Sequence, residues 1–340
     1  MIADLHLNPN YAPNRPFDGL YCEDPKEGSE LDDKLDELAH FGQIGCDIPV
    51  SLADQAMRKM SEENQDLDFL LVPGDVPGHS FSNKFDKIGE MEWEDLTRDY
   101  EALMAVHELA SDMFEEYFPE VPTFQTFGNN EDKYHYQPIF DDGGPTGDDN
   151  GYERMYKLWF EEHSANYLNL TNLGEIEQTM KAGGWYRAEL IPGHLTLISF
   201  NSLQFNEASE VDDQVGYQCD MELDWMERTL EDAREGEKFL LMVHIYETAG
   251  WNGDGEPFVQ WKENDHLARY VNLLYKYRDI IIFEATGHDH LADLRIHEAI
   301  SNEVGVHDVA FLNKVLFPGL TSHGQVNPGY ATFEYNTDTQ

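Results

Sequence analysis

Five short stretches of this chain end in residue types that bind metals. "ADLH" supplies Asp4 and His6, "VPGDVPGH" supplies Asp75 with His79 four residues on, and "FGNNED" supplies Asn129. "LLMVH" ends in His244, and "ATGHDH" carries His288 and His290. Carboxylates, neutral imidazoles and an amide oxygen are the donors that a pair of divalent cations takes while leaving room for water and phosphate oxygens. Asp75 can bridge two ions, with Asp4, His6 and His290 completing one and Asn129, His244 and His288 the other. Taken singly, each piece is commonplace. A D-x-H is usually a strand end, a G-D a turn, and a buried histidine such as His244 a hydrogen-bonded core residue. The order D-x-H, G-D, G-N, H, G-H-x-H, each directly behind an apolar run, is what points to a site.

The elements that must position these residues alternate along the chain. The runs "DFLLVPG" (68 to 74), "PTFQTFG" (122 to 128), "HLTLISFN" (194 to 201), "KFLLMVH" (238 to 244) and "DIIIFEATG" (279 to 287) read as strands. Several are apolar throughout, as strands covered on both faces would be. Helix-period segments separate them: "SLADQAMRKMSEE", where Ser51 and Asp54 have capping-box-like spacing, "WEDLTRDYEALMAVHELASDMFEEYF", "MELDWMERTLEDARE" and "NDHLARYVNLLYKYR". The last third returns to strand-like pieces, "LADLRIH", "DVAFLNK" and "YATFEYN", expected to complete a mixed sheet. On a strand, the i, i+2 spacing of Asp4 and His6 puts both side chains on one face, and His288 and His290 repeat it. In open α/β sheets, sites form where the carboxyl ends of strands converge. This order predicts a layered α/β protein around one or two sheets, read as a single domain over residues 1–340. The acidic stretch "DDGGPTGDDNG" (141 to 151) is expected to be a surface loop.

With 340 residues, 41% hydrophobic and 12% aromatic, the chain has ample material for a buried core. Its 67 acids against 22 Lys plus Arg give a formal charge of -45. With no local basic patch to offset it, that balance argues against duplex nucleic acid or an anionic membrane surface as partner. No apolar run approaches the length that spans a bilayer, so no transmembrane segment is expected. "MIADLH" begins almost inside the first expected strand, and an upstream segment, such as a signal peptide, is expected to be missing from this sequence. Cys22, Cys46 and Cys219 are compatible either with three reduced thiols or with one bridge and one free thiol. The sequon Asn169-Leu170-Thr171 is compatible with secretion.

The ordered motif set resembles the calcineurin-like metallophosphoesterases over nearly the whole chain. The connecting text, "FGQIGCDIPVSL", "GDVPGH", "GGWYRAEL", "SFNSLQF" and "NPGYATFEYN", is similar to the acid sphingomyelinase-like phosphodiesterases within that superfamily. The resemblance implies a four-layer sandwich, two mixed β-sheets packed face to face with helices outside. It implies two divalent metal ions, zinc foremost, with the ligand division given above and a hydroxide between the ions that attacks a small phosphoester. It also implies a Cys22–Cys46 bridge, a free Cys219, and a secreted or lysosomal origin. His79 matches a family histidine beside the scissile phosphate, expected to bind it or to protonate the leaving group. The oligomeric state stays open.

Three departures qualify the resemblance. The family pattern G-N-H-[DE] carries its acid at the third place, where this chain has Asn130, an amide that donates hydrogen bonds without transferring protons. His79 then serves as the only acid, or His135 substitutes, or the protein keeps its metals without turnover in a structural or interaction role. The loop after His244, "HIYETAGWNGDGEPF", lacks the family's Pro-rich text. Glu247 is expected there as a solvated acid, and Tyr246 and Trp251 as packing residues or as stacking surfaces for a substrate group. Finally, a lipid-extracting leader domain and a C-terminal helical portion found in relatives are expected to be absent, which favours a soluble phosphodiester or nucleotide over sphingomyelin.

Overall fold

The runs 194 to 201, 238 to 244 and 279 to 287 supply inner strands of a six-stranded mixed sheet. In chain order its strands are β5 (Tyr186–Ile191), β6 (Leu195–Phe200), β7 (Lys238–Val243), β10 (Ile281–Thr286), β11 (Asp293–Ala299) and β12 (Val309–Leu316). The spatial order is β11-β12-β10-β7-β6-β5, with β6, β7, β10 and β12 mutually parallel and the two edge strands antiparallel. The computed structural model describes residues 1–15, 22–23, 38–81, 93–132, 134–139, 151–162, 170–209, 213–251, 257–299 and 309–338.

A second sheet is assembled from short parallel pieces. β1 (Leu7–Asn8) pairs with β2 (Ile48–Pro49), and β3 (Leu70–Val72) pairs with β4 (Thr123–Gln125). Single backbone bonds join the pairs: Ile2 N donates to Leu71 O (3.0 Å), His6 N to Asp75 O (2.9 Å) and Leu7 N to Val76 O (2.8 Å). Alternation along these pieces divides the side chains between two cores. Met1, Ala3 and Leu71 join the core of the six-stranded sheet. Ile2, Leu5, Leu70 and Val72 join residues of α1 (Val50–Glu63) and α2 (Trp93–Tyr117).

The larger sheet alternates in the same way. Ser199 Oγ donates to Gln125 O of β4 (3.4 Å), whereas the neighbouring Phe200 ring packs on Tyr270 of α6 (Asp265–Lys276) at 5.0 Å. The expected four layers follow: helices, short-stranded sheet, six-stranded sheet, helices. Among the described residues no helix is long and apolar enough to cross a membrane. Cys22 and Cys46 form a disulfide, and Cys219, on α5 (Asp213–Glu231), is free and buried.

Several local expectations are corrected. α1 starts at Val50 behind Pro49, with no side-chain cap; Ser51 Oγ donates instead to His40 O (2.5 Å), and Asp54 accepts from Arg58 one turn on (3.1 Å). Proline pre-sets the helical entry and has no N–H to satisfy, so no capping box is needed. "YATFEYN" stays outside the sheet ladders, held in part by Ala331 N donating to Met1 O (3.2 Å). A short helix α3 (Gly151–Tyr156), running on as a π-helix over Lys157–Glu162, and α4 (Leu173–Gly183) had no clear signal in the sequence. A hairpin, β8 (Ala249–Trp251) with β9 (Pro257–Val259), follows the His244 loop. The side chain of Trp251, most of the acidic stretch 141–151 and the sequon Asn169 lie outside the described residues.

Candidate metal centre

Asp4, His6, Asp75, His288 and His290 all have left-handed backbones, with φ of 46°, 45°, 56°, 76° and 58°. They are five of the seven non-glycine residues with positive φ among the described residues. Such a conformation costs an L-residue about 1–2 kcal/mol, so it persists where surrounding contacts over-determine it and gathers at functional sites. The strand periodicity expected to pair Asp4 with His6 is therefore broken at both positions. Sharp turns at strand ends aim these side chains instead. The glycines of the motifs are steric requirements. A Cβ on Gly128 would lie 2.2 Å from Asp75 Oδ1, and one on Gly74, itself at φ 87°, would lie 2.7 Å from Gly128 N.

All seven expected ligands converge, in two groups that share Asp75. In the first, His6 Nε2 and His290 Nε2 are 3.0 Å apart, and Asp4 Oδ1 is 3.8 Å from His290 Nε2. In the second, Asn129 Oδ1 lies 3.0 Å from His244 Nε2 and 2.8 Å from His288 Nδ1. Asp75 turns one oxygen to each: Oδ2 is 3.4 Å from His6 Nε2, and Oδ1 is 3.4 Å from His244 Nε2. Donors that share a cation at about 2.0–2.2 Å stand roughly 3–3.5 Å from one another, and most of these separations match. Asp4 Oδ2 is buried with no hydrogen-bond partner, as a carboxylate oxygen awaiting a cation would be. The donor set therefore fits a pair of divalent ions.

The surrounding hydrogen bonds select tautomers. His244 Nδ1 lies 2.7 Å from Pro73 O and His290 Nδ1 lies 3.1 Å from His323 O. A carbonyl oxygen only accepts, so both Nδ1 atoms carry the proton, and Nε2 is the nitrogen turned inward. Burial raises the Asp4 carboxyl to about 6 and holds His6 and His288 well below the usual imidazole range. Burial alone would lower His244, but Asp75 outweighs it and raises the imidazole to about 10. Burial would likewise raise Asp75, but His244 and then His6 hold it well below the carboxylate range. Asp75 and His244 thus favour each other's charged form, and cation binding would compete with a proton at His244.

Asn130 sits inside the centre as a brace. Its N–H donates to Asp75 Oδ1 (2.9 Å) and its Nδ2 to Asp75 Oδ2 (3.0 Å), and Nδ2 lies 3.3 Å from His6 Nδ1. His79 flanks the first group, its ring stacked on His6 at 4.3 Å and 4°. Burial would lower His79, but Asp47 outweighs it and raises the imidazole. His135 Nε2 lies 2.9 Å from Asn129 Nδ2, closer to the centre than a simple loop histidine.

Three residues at the site were not expected from sequence. Glu131 accepts from Asp75 N (3.0 Å), Val76 N (2.7 Å) and Gly128 N (2.5 Å); it stands at the [DE] place of the third motif, which was a usable signal. Asp47 lies in "GCDIP", another usable signal. His323, stacked on His79 at 3.9 Å, had no signal in spacing or context. Glu247 is corrected: it is buried, ion-paired with Lys314 and 2.5 Å from His297 Nε2, while Lys314 also lies 3.0 Å from Glu284. Tyr246 is a buried packing residue, with Arg295 4.3 Å over its ring and its hydroxyl donating to Asp289.

Comparison with known proteins finds relatives over most of the chain. The chain is 24% identical to Sphingomyelin phosphodiesterase A of Dictyostelium discoideum over 99% of its length and 50% of that protein. It is 26% identical to an Endopolyphosphatase of Schizosaccharomyces pombe over 84% of this chain and 46% of that one. It is 25% identical to Acid sphingomyelinase-like phosphodiesterase 3b of Mus musculus over 99% of this chain and 67% of that one. The chain spans about half the length of the first two. The family model described as Calcineurin-like phosphoesterase matches residues 1–292, and the chain belongs to that family.

Proposed function

We propose that this chain, as a single domain over residues 1–340, is a metal-dependent phosphodiesterase acting on a small soluble phosphodiester or nucleotide. The observation that carries this reading is Asp75, with one carboxylate oxygen facing each of two converging ligand groups. Asp4, His6 and His290 would hold one divalent ion, Asn129, His244 and His288 the other, and Asp75 both; the imidazole-rich set favours zinc. Such a pair neutralises non-bridging phosphate oxygens and makes an attacking water more acidic.

The chain's own residues supply the rest. Asn130 and Glu131 hold Asp75 in its left-handed turn. His79 gives a proton to the departing oxygen as the P–O bond breaks, so the alcohol leaves neutral. The charge of -45 disfavours nucleic-acid duplexes and anionic membranes as partners. The Cys22–Cys46 bridge suits a secreted or lysosomal environment.

A second reading, a metal-stabilised protein without turnover, is favoured by Asn130 standing at the family's acid position. Hydrolysis of bis(p-nitrophenyl) phosphate separates the two. The enzyme reading expects turnover with about two metal ions per chain, lost in Asp75→Ala. Bound metal with no turnover on any diester or monoester would sink it in favour of the second.

A further inference from the structure

We infer that Asp47 and His323 are positioning residues for His79, together fixing its ring so that Nε2 is the nitrogen presented to the leaving group. This rests on the phosphodiesterase reading above. Asp47 is fully buried, and both of its oxygens act on the same residue. Oδ1 lies 2.8 Å from His79 Nδ1, and Oδ2 accepts from the His79 backbone N–H at 2.7 Å. The carboxylate therefore holds the ring and the backbone that carries it. Gly78 lets it approach, since a Cβ there would lie 2.9 Å from Asp47 Oδ2.

Two further imidazoles pack on the ring: His6 stacks at 4.3 Å and His323 at 3.9 Å and 28°. Rotation of the His79 ring would break the Asp47 bond and disturb both stacks. With Nδ1–H donated to Asp47, the chemistry of the ring passes through Nε2, the logic by which a carboxylate orients a catalytic histidine. The nearby imidazoles face other groups: His135 Nε2 lies 2.9 Å from the Asn129 amide nitrogen, and His6 Nε2 lies 3.0 Å from His290 Nε2. In the step served, a water-derived hydroxide forms a P–O bond while the P–O bond to the leaving group breaks. Its electron pair stays on the departing oxygen, the Nε2 proton joins that oxygen, and solvent reprotonates the ring.

The test compares two diesters, one with a p-nitrophenolate leaving group, which departs without a proton, and one with an alkyl leaving group. Asp47→Asn and His323→Ala are expected to lower kcat on the alkyl diester by about 10²- to 10⁴-fold, with KM and metal content held. Loss on the aryl diester is expected below about tenfold. His323→Phe keeps a flat ring in the stack and should restore most of the alkyl rate. In a His79→Gln background, Asp47→Asn should cost nothing further. Equal losses on both diesters, or additive losses in the double variant, would overturn the inference. Should Asp47→Asn fail to fold, the His323 pair, at the more exposed end of the stack, carries the same comparison. If the wild-type protein hydrolyses neither diester, the phosphodiesterase reading falls and this inference with it. An active wild type with leaving-group-independent variants removes this inference alone.

Discussion

Replacing Glu131 removes the acceptor that holds the turn carrying Asp75. Its buried carboxyl group, pushed up to about 8 by burial, accepts three backbone N–H groups, from Asp75 and Gly128 on Oε2 and from Val76 on Oε1. Glutamine keeps only one oxygen. Oriented to serve Asp75 and Gly128, it turns an N–H₂ against Val76 N, leaving one buried donor without an acceptor, which costs about 1–3 kcal/mol. Glu131→Ala removes all three acceptors, roughly 3–9 kcal/mol before the site relaxes, comparable with the whole stability of a domain. Urea unfolding in chelator measures this without metal binding to mask it. Because the same N–H groups set the left-handed turn at Asp75, zinc affinity of Glu131→Gln should also fall about 10- to 100-fold by isothermal titration. A Glu131→Gln protein within about 0.5 kcal/mol of wild type and with unchanged affinity would refute the reasoning.

Asn130→His adds a second proton donor beside Asp75 and should raise turnover of alkyl diesters by up to about 10²-fold in steady-state kinetics; an unchanged rate would mean that acid help is not limiting. Glu222 is buried and accepts from Asn201 N at 2.6 Å, and burial raises its carboxyl well above the usual range. The unfolded chain releases this proton near pH 4.3 while the native state keeps it, so wild-type stability falls as pH rises, by at most about 1.4 kcal/mol per unit. Glu222→Gln should therefore match wild type near pH 4 and gain on it towards neutrality; a pH-independent difference in urea midpoints would contradict the assignment. Burial would raise Glu247, but Lys314 outweighs it and holds the carboxyl below the usual range. Lys314→Met leaves Glu247 and Glu284 without their shared cation and should cost about 3–5 kcal/mol in thermal unfolding.

The convergence of the candidate ligands was legible because each of the five motifs follows an apolar run, and strands covered on both faces announce themselves by composition. The manner of its assembly was not. Asp4 and His6 read as neighbours on one strand face, yet left-handed turns aim them, and a backbone angle imposed by tertiary contacts leaves no mark on residue spacing. His288 and His290 share the same spacing and join different ligand groups. Glu247 read as solvated because its counter-ion, Lys314, lies 67 positions away and enters only through pairing of Glu284 with Lys314 across β10 and β12. Ser51 and Asp54 carried the spacing of a cap, but Pro49 already supplied the helix entry. Asp47 and His323 reach His79 from opposite parts of the chain, and only the fold shows that they meet.

The central claim is that Asp75 joins two cation sites. Anomalous diffraction from crystals grown with zinc measures it directly. Two peaks about 3.5–4 Å apart are expected on either side of the Asp75 carboxylate, one beside His6 and His290 and one beside His244 and Asn129. No peak at Asp75, or zinc bound only at the Glu247, Glu284 and His297 cluster, would contradict it.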